Sequence, residues 1–264
     1  MRVYGIDFTS SPRRSKPITC AACQLNGERL ILEEMQSLDD FMAFERQLAE
    51  PGPWIAGIDF PFGQSRRFIE NIGWPSDWQG YVAHVAKMDR PAFRQRLDDY
   101  RAPRPAGDKE HRRKVDALAG SISPQKLYGV PVGLMFFEGA PRLLASSAHI
   151  PPIRPSDDDR VIIEAYPGVL ARRLIGHRSY KHDTRRRQTA DQLAARKAIL
   201  EALENVEAPA DVVDDPTGDQ LDALLCAVQA AWAWSKREEN FGIPSMADPL
   251  EGWIVDESLY EAAA

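Results

Sequence analysis

One tetrapeptide occurs twice and constrains this chain more than anything else in it. Gly5-Ile6-Asp7-Phe8 closes an apolar run that begins at Val3, and Gly57-Ile58-Asp59-Phe60 closes one that begins at Trp54. A short apolar run bounded by turn residues reads as a fully buried strand, and both runs lead into turns, Thr9-Ser10-Ser11-Pro12 and Pro61-Phe62-Gly63. Laid side by side and parallel, such strands are about 4.8 Å apart. Asp7 and Asp59 then meet at the carboxyl edge of the sheet, where open α/β sheets bind ligands. Two carboxylates held that close repel, so one keeps a proton or both share a cation. A hard divalent metal suits such oxygen donors.

The remaining segments arrange themselves around this pair. Residues 2–8 form the first strand, and Ile18–Leu25 and Glu28–Glu34 flank Asn26-Gly27, a dipeptide suited to a two-residue hairpin turn. The opening is thus a three-stranded antiparallel meander. Leu38–Leu48 has helical apolar spacing with Asp39 and Asp40 in its first turn, and Pro51-Gly52-Pro53 stops it. Trp54–Phe60 follows as a fourth strand, parallel to the first after a helical crossover.

From about 63 to 159 the pattern changes to short helices and loops rich in arginine, proline and aromatic residues, a mainly helical insertion in a single domain spanning 1–264. Asp116–Ala119 closes one helix, and Pro124–Ser147 is a helical region broken around Pro131 and Pro141. Arg160–Ala165 returns to strand, and Pro167 opens a helix over Val169–Ile175. Thr189–Leu203 and Gly218–Ser235 are amphipathic helices. Gly252–Val255 is a last short strand or docked tail, and Ala262-Ala263-Ala264 reads as frayed.

Glu164 is a third carboxylate at the end of an apolar strand. Asp219 and Asp222, three apart, share one face of the last long helix. Asp222 borders that helix's apolar stripe between Leu221 and Leu225, a costly position for a carboxylate unless it is paired or metal-bound. A lone acid after a strand is commonly a turn former or helix cap. Five of them in this order, with a duplicated tetrapeptide, predict a common acidic site made of Asp7, Asp59, Glu164, Asp219 and Asp222.

The net charge of −6 does not draw nucleic acid to the surface as a whole, so polyanion binding has to come from local patches. One basic stretch holds Arg172, Arg173, Arg178, Lys181, Arg185, Arg186, Arg187, Arg196 and Lys197, in a segment leading away from the Glu164 strand. Its arginines could neutralise phosphates. A second patch, Arg112-Arg113-Lys114, lies in the insertion. Trp74, Trp78 and Tyr81 are core aromatics by preference and base-stacking platforms as the alternative.

The three cysteines read as reduced core residues. Cys20 and Cys23 are an odd number of positions apart on one strand and so point to opposite faces. The five histidines lack a metal-ligand spacing. No apolar stretch approaches the roughly 18 residues that cross a bilayer, and the N-terminus has no signal-peptide plan. The expectation is a cytoplasmic protein without membrane contact. Its oligomeric state is left open, a homodimer included.

At this point the order of elements resembles the ribonuclease H-like fold: α/β, with a mixed five-stranded sheet of a three-stranded meander plus parallel strands, flanked by helices. More narrowly, the chain resembles the family called domain of unknown function 429, predicted nucleases of that fold. The matching pieces are Gly5-Ile6-Asp7, Gly57-Ile58-Asp59-Phe60-Pro61-Phe62-Gly63, Ser123-Pro124, Pro131-Val132-Gly133, Glu164-Ala165-Tyr166-Pro167, Tyr180-Lys181 and Asp219-x-x-Asp222-Ala223. The resemblance implies that Asp7 and Asp222 hold metal, with Asp7 bridging, Asp59 (matching the fourth-strand acid) completing the metal cage with Asp222, and Glu164 or Asp219 as an outer ligand or water-orienting group. It implies Mg²⁺ or Mn²⁺ as cofactor, nucleic acid as substrate, and two-metal hydrolysis of a phosphodiester. Lys181 becomes the first candidate for the substrate phosphate, with Arg178, Arg185 and Arg186 behind it.

Two other classes compete. An ATP-binding phosphotransferase or ATPase of the actin-like type also has Asp followed by a Thr/Ser turn after its first strand. It needs a second copy of the fold and glycine-rich nucleotide loops that are missing here. A non-catalytic nucleic-acid or protein binding module would have lost carboxylates, and none is obviously lost.

Overall fold

The computed structural model describes residues 1–182 and 184–263, with the side chain of Arg185 left undescribed. Three strands, β1 (Arg2–Asp7), β2 (Ile18–Asn26) and β3 (Arg29–Leu38), form the antiparallel meander, turning through Gly27 in a left-handed conformation. Helix α1 (Phe41–Leu48) crosses over to β4 (Trp54–Asp59), which lies parallel to β1. β3 runs four residues past the expected Glu34 to Leu38, the first residue assigned from sequence to the helix. The helix begins later because the Asp40 carboxylate caps it, accepting a hydrogen bond from the Ala43 amide at 2.7 Å.

Between β4 and the next strand lie five helices: α2 (Arg66–Ile72), α3 (Trp78–Val85), α4 (Arg90–Arg101), α5 (Lys114–Leu118) and α6 (Val132–Ser146). Pro131 stands at the start of α6, but Pro141 lies inside it and does not break it. β5 (Arg160–Glu164) then pairs parallel with β4, and α7 (Pro167–Ile175), α8 (Ala190–Ala202) and α9 (Asp219–Ser235) follow.

Two elements escaped the sequence reading. β6 (Val206–Glu207) pairs with β3, which makes a six-stranded mixed sheet in the order β5-β4-β1-β2-β3-β6 rather than a five-stranded one. Two residues carry no alternation to read. Helix α10 (Glu257–Ala263) takes in Ala262 and Ala263 of the tail expected to fray, with Leu259 buried, and Ala264 lies outside the described residues.

Each face of the sheet carries its own apolar cluster. Tyr4, Ile6 and Phe8 of the first strand region and Trp54, Ala56, Ile58 and Phe60 of the fourth pack against α1 and the insertion. Val3, Ile55, Val161 and Ile163 pack with α9 on the other side. Cys20 belongs to the first cluster and Cys23 to the second, as odd separation on a strand requires. Trp74, Trp78 and Tyr81 are buried in the insertion's core, where no base can reach them. Among the described residues no helix is long and apolar enough to cross a membrane.

Candidate functional site

The duplicated tetrapeptide is aligned with itself: Gly5 is opposite Gly57, Ile6 opposite Ile58, and Asp7 opposite Asp59 in the parallel register of β1 and β4. Its glycines explain how a third acid arrives. A Cβ on Gly5 would stand 1.9 Å from the Ala223 carbonyl oxygen and 2.2 Å from the Ala227 nitrogen, and one on Gly57 would stand 2.4 Å from the Cys226 carbonyl oxygen. The two bare positions let the backbone of α9 lie directly on the strands. Docked so, α9 carries Asp222, one residue before Ala223, into the sheet edge with no exposed side-chain surface.

Asp222 is held from the segment after α7. The Tyr180 hydroxyl donates to its Oδ1 at 2.7 Å, and the Lys181 ammonium donates to its Oδ2. Lys181 is itself fixed in place. Its carbonyl accepts from Gln192 at 3.1 Å, and its stem packs on Gly218 at the start of α9, where a Cβ would come within 2.8 Å of the Lys181 Cβ. Arg196, buried on α8, donates to the Tyr180 carbonyl and the Val213 carbonyl, both at 2.7 Å. Arg196 is therefore a strut for this segment, not a phosphate contact.

Negative charge exceeds positive here. Burial raises the pKa of Asp7 well above the ordinary value; Lys181 lowers it, while Asp222, Asp219 and Asp59 push it up again. Asp59 is pushed up to about 7, first by burial and then by Asp222, against the pull of Lys181. Burial also raises Asp219. Burial disfavours the Lys181 ammonium, but Asp222, Tyr180 and Asp7 outweigh it and leave its pKa raised. Among the described residues, no hydrogen bond reaches the Asp7 or Asp59 carboxylate, and both residues keep some contact with solvent.

Glu164 has a different environment. Its register partner on β4 is Ile58, not Asp59, so its side chain leaves the sheet on the opposite face from the two aspartates. There the buried Arg113 meets it with two hydrogen bonds, 2.5 Å to Oε1 and 2.7 Å to Oε2, and the Phe62 amide adds a third at 3.0 Å. Arg113 also donates to both oxygens of Asp116, at 2.9 and 3.0 Å, and to the Glu251 carbonyl at 3.1 Å. The insertion's supposed basic patch thus has its central residue buried as an ion-pair partner. No sequence signal separates this arginine from its exposed neighbours Arg112 and Lys114.

Among the described phosphate candidates, Lys181 alone is in contact with the acids. Arg178 and Arg186 are exposed, Arg178 donating to the Ile175 carbonyl at 3.2 Å, and the Arg185 side chain lies outside the described residues. The donor chemistry of Asp7, Asp59 and Asp222 suits a hard divalent ion. The arrangement does not: Asp222 is occupied by Tyr180 and Lys181, and among the described residues no group of three or more His, Cys, Asp or Glu side chains is placed to hold a metal.

Beside the acids opens a cleft of about 290 Å³, whose wall joins Asp59, Tyr180 and Lys181 to the ion-paired Arg113, Asp116 and Glu164 and to apolar side chains. Residues 5–246 match the model of the family described as Protein of unknown function (DUF429), and the chain belongs to that family. No curated protein and no solved structure matches it.

Proposed function

We propose that this member of the family is a phosphodiester hydrolase acting on nucleic acid, built on a ribonuclease H-like core, with Asp7, Asp59 and Asp222 as its reaction centre. The observation that carries the reading is the residue-for-residue alignment of Asp7 with Asp59 at the carboxyl edge of the parallel strands. Asp222 is delivered to the same edge by α9.

Asp59, with a pKa near neutrality, suits a general base, whose best pKa lies close to the working pH. In the proposed reaction a water attacks phosphorus, its proton passes to the Asp59 carboxylate, and the bond to the leaving oxygen breaks as that oxygen takes a proton from solvent. Lys181 stays charged and faces the phosphate, which competes with Asp222 for its ammonium. Asp7 orients the water, and Tyr180 keeps Asp222 in place. Glu164, saturated by Arg113, anchors the insertion to β5 and stays outside the reaction. Mg²⁺ or Mn²⁺, the cofactor proposed from the resemblance, does not fit the residues as they stand, because Lys181 occupies Asp222. The steps above use only the chain's own groups, and metal dependence is one arm of the test.

The test is cleavage of labelled DNA and RNA strands with Mg²⁺, with Mn²⁺ or with chelator, comparing the parent with Asp7→Asn. The expected outcome is cleavage by the parent and a loss of about 10²–10⁴-fold in the variant. Equal activity in both would assign the cleavage to a contaminant and end the reading.

A further inference from the structure

The cleft beside the acids is larger than a phosphate needs, and its lining joins charged groups to a largely apolar surface. Asp59, Tyr180 and Lys181 share the wall with the mutually paired Arg113, Asp116 and Glu164, and most of the remainder is apolar, with Ile122, Val130, Met135 and Tyr166. Ile122 and Val130 are 37% and 54% exposed, apolar side chains left open at the rim of a polar site.

Tyr166 is held firmly in this wall. Its amide donates to Gln229 Oε1 at 3.0 Å, and its carbonyl accepts from Gln229 Nε2 at 3.2 Å. Gln229 is fixed in turn by a 2.8 Å bond to Asp256. The ring rests against Gly168, where a Cβ would lie 2.9 Å from the ring's Cζ, and the Arg172 guanidinium sits 5.4 Å from its centroid. An aromatic ring fixed by its backbone and lining an apolar wall is a stacking platform.

We infer that this cleft receives the unstacked base of a nucleotide whose phosphate lies at Asp59 and Lys181, so that the substrate is single-stranded or extruded nucleic acid. The inference rests on the hydrolase reading above and narrows it. One ligand that meets the Lys181 ammonium and the apolar, aromatic surface of the same cleft joins an anion to a flat ring, and a nucleotide does so. A base paired within a duplex keeps both faces stacked and cannot enter, whereas an unpaired or flipped base can.

The experiment measures binding of fluorescein-labelled single strands, the same strands made abasic, and a blunt duplex, to the parent and to Val130→Asp, with Ile122→Ser as a second variant. Both substitutions are at exposed positions outside the acidic cluster. Stacking of one base is worth about 1–3 kcal/mol, so removing the bases is expected to weaken binding at least about fivefold. Val130→Asp adds a charge that repels either strand, so it should weaken the base-bearing strand by a similar factor beyond any loss shown by the abasic strand. Equal binding of base-bearing and abasic strands, tighter binding of the duplex, equal weakening of both strands by Val130→Asp, or no binding at all would each overturn the inference. Cleavage followed in parallel separates the two ideas. Equal cleavage of base-bearing and abasic strands keeps the hydrolase and removes the base cleft. Base-dependent binding without cleavage does the reverse.

Discussion

Asp59 and Glu164 end neighbouring parallel strands and burial raises both carboxyls, but their partners differ. Glu164 lies under the insertion, and each of its oxygens receives at least one hydrogen bond from the buried Arg113. Asp59 lies on the α9 side with Asp7 and Asp222, sharing one ammonium among several carboxylates, and its pKa is pushed up to about 7. A one-residue offset in register produces the difference, because successive side chains on a strand point to opposite faces. A buried carboxylate with a full complement of donors behaves as a structural tie. One placed with like charges and few donors is an unstable arrangement that a ligand can relieve, and strongly perturbed acids of that kind mark functional sites.

The largest effect that would break this comparison is expected at the structural tie. Arg113→Met leaves Glu164 and Asp116 buried without their cation, and losing one partner of a buried ion pair costs about 3–5 kcal/mol. Urea unfolding of the variant should show a loss of that size. A change below about 1 kcal/mol, the level of an exposed pair, would mean that Glu164 is no tie and would return it to the candidate reaction centre.

Next comes the seat of α9. Gly57→Ala places a methyl group 2.4 Å from the Cys226 carbonyl oxygen, and overpacking of this kind costs about 1–3 kcal/mol. The backbone of α9 must retreat, taking Asp222 from the aspartate pair. Thermal unfolding should detect the destabilisation, and hydrolysis should fall even where the protein remains folded. Full activity in a destabilised Gly57→Ala protein would show that the position of Asp222 is not set by this contact.

The smallest expected effect is a slope with pH. The Asp59 carboxyl titrates near pH 7 in the folded protein and near pH 4 in the unfolded chain. Between these values the folded state binds the extra proton, so the stability contributed by protonated Asp59 is present at low pH and is lost as pH rises towards 7. Its partial exposure reduces the size of this change. Asp59→Asn should flatten the thermal midpoint between about pH 5 and pH 7 relative to the parent. Hydrolysis by the parent should rise over the same range as the base ionises, and an unchanged stability slope in Asp59→Asn would move the titration to Asp7 or Asp219.

Much of this was legible from residue order. The meander, the crossover, the parallel β1 and β4 pair and the long helix ending in Ser235 follow from periodicity and turn chemistry. The duplicated tetrapeptide predicted that Asp7 and Asp59 lie side by side, and the register of β1 and β4 places them so. Lys181 came from the resemblance, since one lysine among many arginines has no signal of its own. β6 was too short to show a pattern, and Arg113 looked like any surface cation because burial is not written in residue type.

The sequence by itself determined which face each residue of a strand takes relative to its neighbours, since that alternation is a local property of the backbone. It also set Asp7 and Asp59 at equivalent places in two equivalent strands. Only the tertiary structure decided that β5 meets β4 with Glu164 beside Ile58, that α9 rests on Gly5 and Gly57, and that Lys181 reaches Asp222. The register between strands and the docking of a helix arise from packing between distant segments, and no single segment contains that information.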